Sequence, residues 1–273
     1  MLCRIRSRGH LPHNRQRRMK PRINRLFADI ETSPNVVLSW RVGYDINIDN
    51  DNILKERAII CIGYKWEHQK KAKVLRWDSN QCDKKLLKEF IEVANKADEI
   101  VFHNGDKFDM PWIRARAIFH GLDPMPQYRT IDTLKWARNK FLFNSNKLDY
   151  IAKYLGLGGK IKTEFGLWKK IVLDKDAKAM NQMCVYCAKD VELLQEVWKK
   201  MEYYLPHKTH VGVASGNDRW TCPVDGSINV RINRKNISAA GTLSYMMKCN
   251  DCGRYYKISQ TAYNDYVEWR KSQ

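Results

Sequence analysis

The sequence predicts an α/β domain followed by a small β-rich module, and three observations carry that expectation. The stretch Arg25-Leu-Phe-Ala-Asp-Ile-Glu-Thr32 has the composition of a short apolar strand that ends on two acids. Downstream, strand, loop and helix recur: Glu99-Ile-Val-Phe102 runs into His103-Asn-Gly105, and a helix then opens at Asp109. Late in the chain two cysteine-containing turns, Cys222-Pro-Val-Asp-Gly226 and Cys249-Asn-Asp-Cys-Gly253, stand among short β-like pieces.

Bulk properties narrow the function classes. A chain of 273 residues suits one large or two modest domains with a real core. Lys and Arg number 49 against 30 acids, a net charge of +19, with a pI near 9.6. Such an excess favours a polyanionic partner, nucleic acid being the commonest and a membrane surface the competitor. No run of about eighteen apolar residues exists to span a bilayer. The arginine-rich start also lacks the apolar stretch of a secretory signal, so a soluble protein without a membrane partner is expected. Of the eight cysteines, three fall in the late cluster, which in a reducing compartment suggests a metal site before disulfides.

Taken in order, residues 1–22 form a polar, basic tail without apolar periodicity, expected to be disordered, and Met19 offers an alternative start. In the strand that follows, Asp29 and Glu31 are two residues apart and project to the same side at the carboxyl edge of a sheet, where open α/β folds place ligands. Two such anions repel unless a cation lies between them, and Arg22 or Arg25 is the bland candidate. Runs at 36–42 and 58–66 read as strands around a polar loop at 45–56, and 72–77 as a further strand. Helical spacing covers 83–97, through Leu86, Leu87, Phe90, Ile91 and Val93, and a second helix covers 109–120. A short strand at 129–131 enters a helix at Asp132, and 146–155 is helical. Gly156-Leu-Gly-Gly-Lys160 is no phosphate loop, because Tyr154 stands at the first glycine position and the lysine follows a helix. The longest helix spans 176–203, with Met180, Met183, Val191, Leu194 and Val197 or Trp198 as its buried stripe. Cys184 and Cys187 lie inside that helix, where small buried cysteines are a better reading than a redox pair. Residues 205–217 read as a linker, 218–273 as the second module and 263–270 as a closing helix.

Asp29-x-Glu31 on a strand, Asn104-x-x-x-Phe108-Asp109 after a strand, and Tyr186-x-x-x-Asp190 on a helix resemble, in this order, the three motifs of the DEDDy 3′-to-5′ exonucleases. Asp132-Thr-Leu and Leu148-Asp-Tyr resemble their stand-alone, DNA-polymerase-B-related branch. The resemblance covers residues 25–204. It implies a ribonuclease-H-like mixed sheet flanked by helices and an exonuclease domain over 23–204. It also implies two Mg²⁺ or Mn²⁺ ions, hard cations that prefer oxygen donors and, about 3.5–4 Å apart, stabilise the attacking and departing oxygens of phosphodiester hydrolysis. Asp29, Glu31 and Asp190 would share one ion, Asp29 would bridge to the second, and Asp109 would support that ion directly or through water. Tyr186 would orient the attacking water, since a phenol of pKa about 10 is a poor base at neutral pH. Asn104 would position the terminal nucleotide beside Thr32, and Phe108 is either core or a stacking wedge.

The paired cysteine turns resemble the knuckles of a zinc ribbon, with Asp225 standing where a fourth cysteine is usual. Cys222, Asp225, Cys249 and Cys252 would then hold one structural Zn²⁺. His210 or His207 is a substitute ligand, and a site without metal is the bland alternative. Arg231, Arg234, Lys235, Arg254 and Lys257, with Trp220, Tyr255 and Tyr256, suit either single-stranded nucleic acid or a charged surface over a small core. The expected activity is metal-dependent 3′-to-5′ hydrolysis of DNA from a single-stranded 3′ end, releasing nucleoside 5′-monophosphates. RNA is the alternative substrate, and a catalytically silent nucleic-acid-binding protein the alternative class. A separate polymerase as partner and a bacterial or phage-infected cytoplasm complete the expectation.

Overall fold

The structure, a computed structural model, describes residues 23–43, 45–161 and 163–273. The basic tail at 1–22, with Met19 and Arg22, lies outside the described residues. Ile23–Lys208 form one compact unit, and Thr209–Gln273 belong to another.

The first unit runs β1 (Arg25–Thr32), β2 (Val36–Val37), β3 (Ile53–Lys55), β4 (Ile59–Trp66), β5 (Lys73–Arg76), α1 (Lys84–Ala94), β6 (Glu99–Phe102), α2 (Asp109–Phe119), β7 (Thr130–Asp132), α3 (Thr133–Lys140), α4 (Leu148–Tyr154), α5 (Phe165–Val172) and α6 (Ala177–Met201). Its five-stranded sheet has the order β5-β4-β1-β6-β7. β1, β6 and β7 are parallel, while β4 and β5 join antiparallel to complete a mixed sheet. The expected α/β architecture, a mixed sheet flanked by helices, is therefore present.

Strand alternation divides the core in two. On β1, Leu26, Ala28 and Ile30 pack into a cluster with Leu86, Phe90 and Ile113, while Phe27, pointing the other way, meets Ile151, Leu194 and Trp198. Phe27 sits edge-on to Trp198 at 5.4 Å. α6 serves both clusters, with Met183 and Cys187 in the first and Val191, Leu194 and Trp198 in the second. Asp176 and Asp132 start α6 and α3 by accepting hydrogen bonds from the free backbone N–H groups of the first turn. Asp83, fully buried, accepts from the Ile59 N–H, takes a bidentate contact from Arg116 and lies 2.5 Å from His120 Nε2, which ties α2 to β4.

Two local expectations change. The run at 36–42 forms a strand only at Val36–Val37, paired with β3, and Leu38, Trp40 and Val42 beyond it are exposed. β-branched composition makes a strand only where a partner edge is available. α5 was not expected, because Gly166 weakens the local helical signal and the helix is held by burial of Leu167, Ile171 and Val172.

The second unit contains α7 (Val211–Ala214), β8 (Val230–Ile237), β9 (Leu243–Cys249), β10 (Tyr255–Ser259) and α8 (Gln260–Lys271). Its antiparallel sheet has the order β10-β9-β8. Trp220, Tyr245, Met247, Tyr256 and Tyr266 form its core. α7 falls in the stretch read as a linker: His210 Nδ1 accepts from the Val213 N–H, and the Val211 N–H donates to the Pro223 carbonyl. No helix among the described residues is long and apolar enough to cross a membrane.

Candidate active site

β1 and α6 bring the acids together, and the start of α2, after β6, adds Asp109 beside them. One oxygen from each of Asp29, Glu31 and Asp190 lies within 4.8 Å of the others, a set that can hold a cation. Asp190 is 1 % exposed, and its Oδ1 has no hydrogen-bond partner among the described residues. A buried carboxylate oxygen without a hydrogen-bond partner, on a residue clustered with two further carboxylates, is the kind of donor a hard divalent ion takes. Tyr186 stands one turn before Asp190 on α6, close enough that the Asp190 charge works against loss of the phenol proton. Asp109, the first residue of α2, is buried, and burial and then the charge of Asp29 push its carboxyl well above the usual range, but its Oδ1 accepts from the Ile30 N–H at 3.1 Å. It is thus not one of the three clustered donors.

α6 reaches the sheet because of Gly63, which faces Asp29 across the β1–β4 ladder. A Cβ at Gly63 would lie 2.9 Å from both Cys187 Sγ and Val191 Cγ2, so only glycine lets the helix come this close. Cys187 Sγ lies 3.7 Å from the Asp29 carbonyl, which places the turn carrying Tyr186 and Asp190 over the acidic strand.

After β6, Asn104 adopts φ +77°, a left-handed conformation that asparagine tolerates. Its N–H donates to Asp132 Oδ1 at 2.9 Å and the Asp106 N–H to Asp132 Oδ2 at 3.3 Å, so Asp132, already the cap of α3, also shapes the Asn104 loop. Phe108 is half-buried and packs against the first core cluster. Thr32 Oγ1 accepts from Arg57 at 3.2 Å, beside an open cleft of about 590 Å³ lined by Thr32, Asn35, Arg57, Phe165 and Trp168. His103, held by Thr133 Oγ1 and the Asn146 carbonyl, is pushed down to about 4 by burial and stays neutral at physiological pH.

In the second unit one ligand atom from each of Cys222, Asp225, Cys249 and Cys252 lies within 4.8 Å of the others. Cys222 Sγ and Cys252 Sγ are 3.6 Å apart, and Cys249 Sγ is 3.7 Å from both Asp225 oxygens. Two sulfurs at about 2.3 Å from one tetrahedral ion would stand roughly 3.7 Å apart, so the donor set fits a zinc-sized site. His210 cannot join it, since its two ring nitrogens contact Val213 N–H and the Arg219 carbonyl. Of the basic and aromatic residues nearby, Trp220, Tyr256 and Arg254 are buried. The opposite sheet face carries two cross-strand rows, Arg231–Lys248–Tyr255 and Arg234–Met246–Lys257.

With this geometry in place, comparison with known proteins decides the family. The RNase H superfamily pattern matches residues 46–202, more than half of the chain. The chain belongs to the RNase H superfamily. In fold it is similar to the family B DNA polymerase from the hyperthermophilic archaeon Pyrobaculum calidifontis, with a TM-score of 0.52 and 16 % identity over 71 % of this chain. The chain spans 26 % of that polymerase's length, and the likeness is one of fold. No curated protein matches.

Within this RNase H superfamily chain, sequence reasoning missed the cation. Arg25 does not answer Asp29 and Glu31; it pairs with Glu67 and Glu99 and lies over Trp198. Lys160 answers them instead. Its Nζ donates to Asp190 Oδ2 at 2.6 Å, and although burial opposes its charge, Asp29 and Asp190 hold it protonated. Asp149 Oδ1 accepts from the Lys160 N–H at 2.8 Å and sets the loop that delivers it. The glycine-rich run before Lys160 was the visible signal, read against the wrong template.

Burial, and then the charge of neighbouring acids, pushes Asp29 up to about 7 and Glu31 up to about 8, with Lys160 opposing. The RNase H superfamily unit therefore carries a pH signature. Between about pH 6.5, above which His103 is neutral in both states, and about pH 8, these two carboxyls bind more protons in the native state than in the unfolded chain, so their contribution to stability falls as pH rises. In EDTA the melting temperature should drop across this window, and Mg²⁺ at pH 8 should recover much of the loss by replacing the missing positive charge. A pH-independent melting temperature that ignores Mg²⁺ is the result that rejects the acidic cluster as a cation site.

Proposed function

We propose that the chain is a metal-dependent 3′-to-5′ exonuclease of the DEDDy type that hydrolyses DNA and releases nucleoside 5′-monophosphates. The observation that carries this reading is the convergence of Asp29, Glu31 and Asp190, with an unpartnered Asp190 oxygen, beside Tyr186 in an RNase H superfamily chain. A DNA polymerase among the fold neighbours agrees with DNA as substrate. The exonuclease domain spans residues 23–204, joined through 205–217 to the module at 218–273, and a cytoplasmic setting with a separate polymerase as partner fits this reading.

Asp29, Glu31 and Asp190 would hold Mg²⁺ or Mn²⁺, with Asp109 as the further carboxylate that supports a second ion. When bound, two such ions supply Lewis-acid activation of water and neutralise charge on the phosphate. The chain's own groups do the rest. Tyr186 orients the incoming water through its hydroxyl, one helical turn from Asp190. Burial raises its phenol further above the ordinary value, which removes it as a base and keeps it a donor. Asn104, Phe108 and Thr32 receive the terminal nucleotide, the first through a loop that Asp132 holds, the last on the rim of the cleft. Lys160, a fixed cation at the same carboxylates, would add positive charge beside the scissile phosphate.

In the second unit, Cys222, Asp225, Cys249 and Cys252 would hold one Zn²⁺ in a zinc-ribbon-like module, whose role is to fold the unit. Its outer rows of Arg231, Lys248 and Tyr255 and of Arg234 and Lys257 would add affinity for nucleic acid.

The test is digestion of 5′-labelled and 3′-labelled single-stranded DNA and RNA with Mg²⁺, Mn²⁺ or EDTA. The expected result is a metal-dependent ladder from the 5′-labelled DNA and immediate mononucleotide from the 3′-labelled strand. Binding without loss of any nucleotide under both metals would establish a silent nucleic-acid-binding protein instead.

A further inference from the structure

On the first unit, six aromatic rings form an unbroken run in the order Tyr150, Tyr154, Phe143, Phe141, Tyr204, Tyr203. Successive ring centroids are 5.3–6.4 Å apart, with Phe141 and Phe143 stacked and Tyr150 and Tyr154 nearly parallel. Phe141 and Phe143 lean on the second core cluster, but the four tyrosines do not belong to it. Tyr154 is 66 % exposed and Tyr204 64 %, and Leu142 between the two phenylalanines is fully exposed. Packing therefore accounts for two of the rings, and a contiguous exposed patch of this kind marks an interaction surface.

Its charge and its position say what the surface takes. Arg138, Lys140, Lys147 and Lys153 border the rings in sequence and are exposed. Asp149 is the one acid between residues 138 and 154, and it is engaged by Lys153 and by the Lys160 N–H. At the Tyr150 end the run thus begins next to the residue that sets Lys160, whose ammonium touches Asp190. Stackable faces edged by cations suit bases and phosphates of an unpaired strand, because every base has a face to stack and every linkage a charge to neutralise. An apolar protein partner would not need the cations.

We propose that this ring run is a binding track for single-stranded nucleic acid, holding nucleotides upstream of the one at the acidic centre. The proposal rests on the reading of that centre as a nuclease site, but its test does not require hydrolysis. Binding of fluorescein-labelled oligothymidylates of about 4 and about 16 nucleotides is measured by anisotropy in EDTA, for the intact chain, for Tyr154→Ala/Tyr204→Ala and for Tyr154→Phe/Tyr204→Phe. Wild type should bind the long strand far more tightly than the short one. The alanine pair should weaken long-strand binding at least ~10-fold and leave the short strand unchanged, while the phenylalanine pair, which keeps both faces, should bind as wild type does. Both variants should melt like wild type, since the rings are exposed. Long-strand affinity within about twofold of wild type for the alanine pair, an equal loss in the phenylalanine pair, or no length dependence in wild type overturns the track. If no metal supports hydrolysis yet the alanine pair loses long-strand binding, the exonuclease reading fails and the track stands.

Discussion

Asp29→Ala should lower nucleotide release by roughly 1,000-fold or more, which is about 4 kcal/mol of transition-state stabilisation. Asp29 is the member of the cluster that borders every other acid: Glu31 shares its side of β1, Asp190 descends on α6, and Asp109 feels its charge. Removing it leaves two carboxylates and Lys160, an arrangement nearer charge balance and poorer at gathering divalent ions. Binding should not fall with it, because the strand is held elsewhere and one negative charge near the phosphates is gone. Stability carries a second signature. Burial and Asp190 raise this carboxyl to about 7, so at pH 8 in EDTA its ionised form is a cost to the fold, and the variant should melt no lower than the parent. Single-turnover hydrolysis, filter binding and thermal melting read the three expectations separately. Residual activity above about a tenth of the parent would remove Asp29 from the chemistry; lost activity accompanied by lost binding and a lower melting temperature would make it a structural residue.

Cys249→Ser should cost the second unit its fold. Cys249 is fully buried at the end of β9, opposite Val230, with its sulfur against Asp225. A structural zinc contributes roughly 10–16 kcal/mol of apparent binding free energy at pH 7. That is as large as the whole stability of an ordinary domain, about 5–15 kcal/mol. A unit with a core of this size would not survive the loss. The purified chain should contain about one zinc, and the variant should contain far less. Limited proteolysis should then digest residues 209–273 while Ile23–Lys208 persist, and a strong chelator should reproduce the effect in wild type. A metal-free wild-type chain with a protease-resistant second unit would falsify the zinc site and leave the Cys249–Asp225 hydrogen bond as the reason for the cluster.

Much of the acidic centre can be read along the chain. A strand places Asp29 and Glu31 on one side because its period is two, and a helix places Tyr186 and Asp190 on one face because they are four apart. Asp109 opens α2 directly after β6 and its loop, which the Phe102-to-Asp109 stretch already suggested. Lys160 was not legible. It lies 30 residues from Asp190 and more than 100 from Asp29, and its approach depends on Asp149 fixing a glycine-rich loop. Gly63 was equally silent, an ordinary glycine in an apolar strand until α6 is seen to cross it. On β10, Tyr256 enters the core with Trp220 and Tyr266 while its neighbour Tyr255 faces outward, a choice made by the packing of the second unit.

By itself, then, the sequence determined the elements whose information is local: the apolar strands, the long helix, the spacing of the acids, and the cysteines and aspartate of the second unit. Only the tertiary structure decided which cation meets the carboxylates, that Asp109 turns to the Ile30 N–H, and that six aromatic residues from three separate segments join into one run. The physical reason is range. Periods of 2 and 3.6 are set by steric preferences of neighbouring residues, whereas contacts between residues tens of positions apart follow from how buried faces stack, and leave no mark in the local pattern.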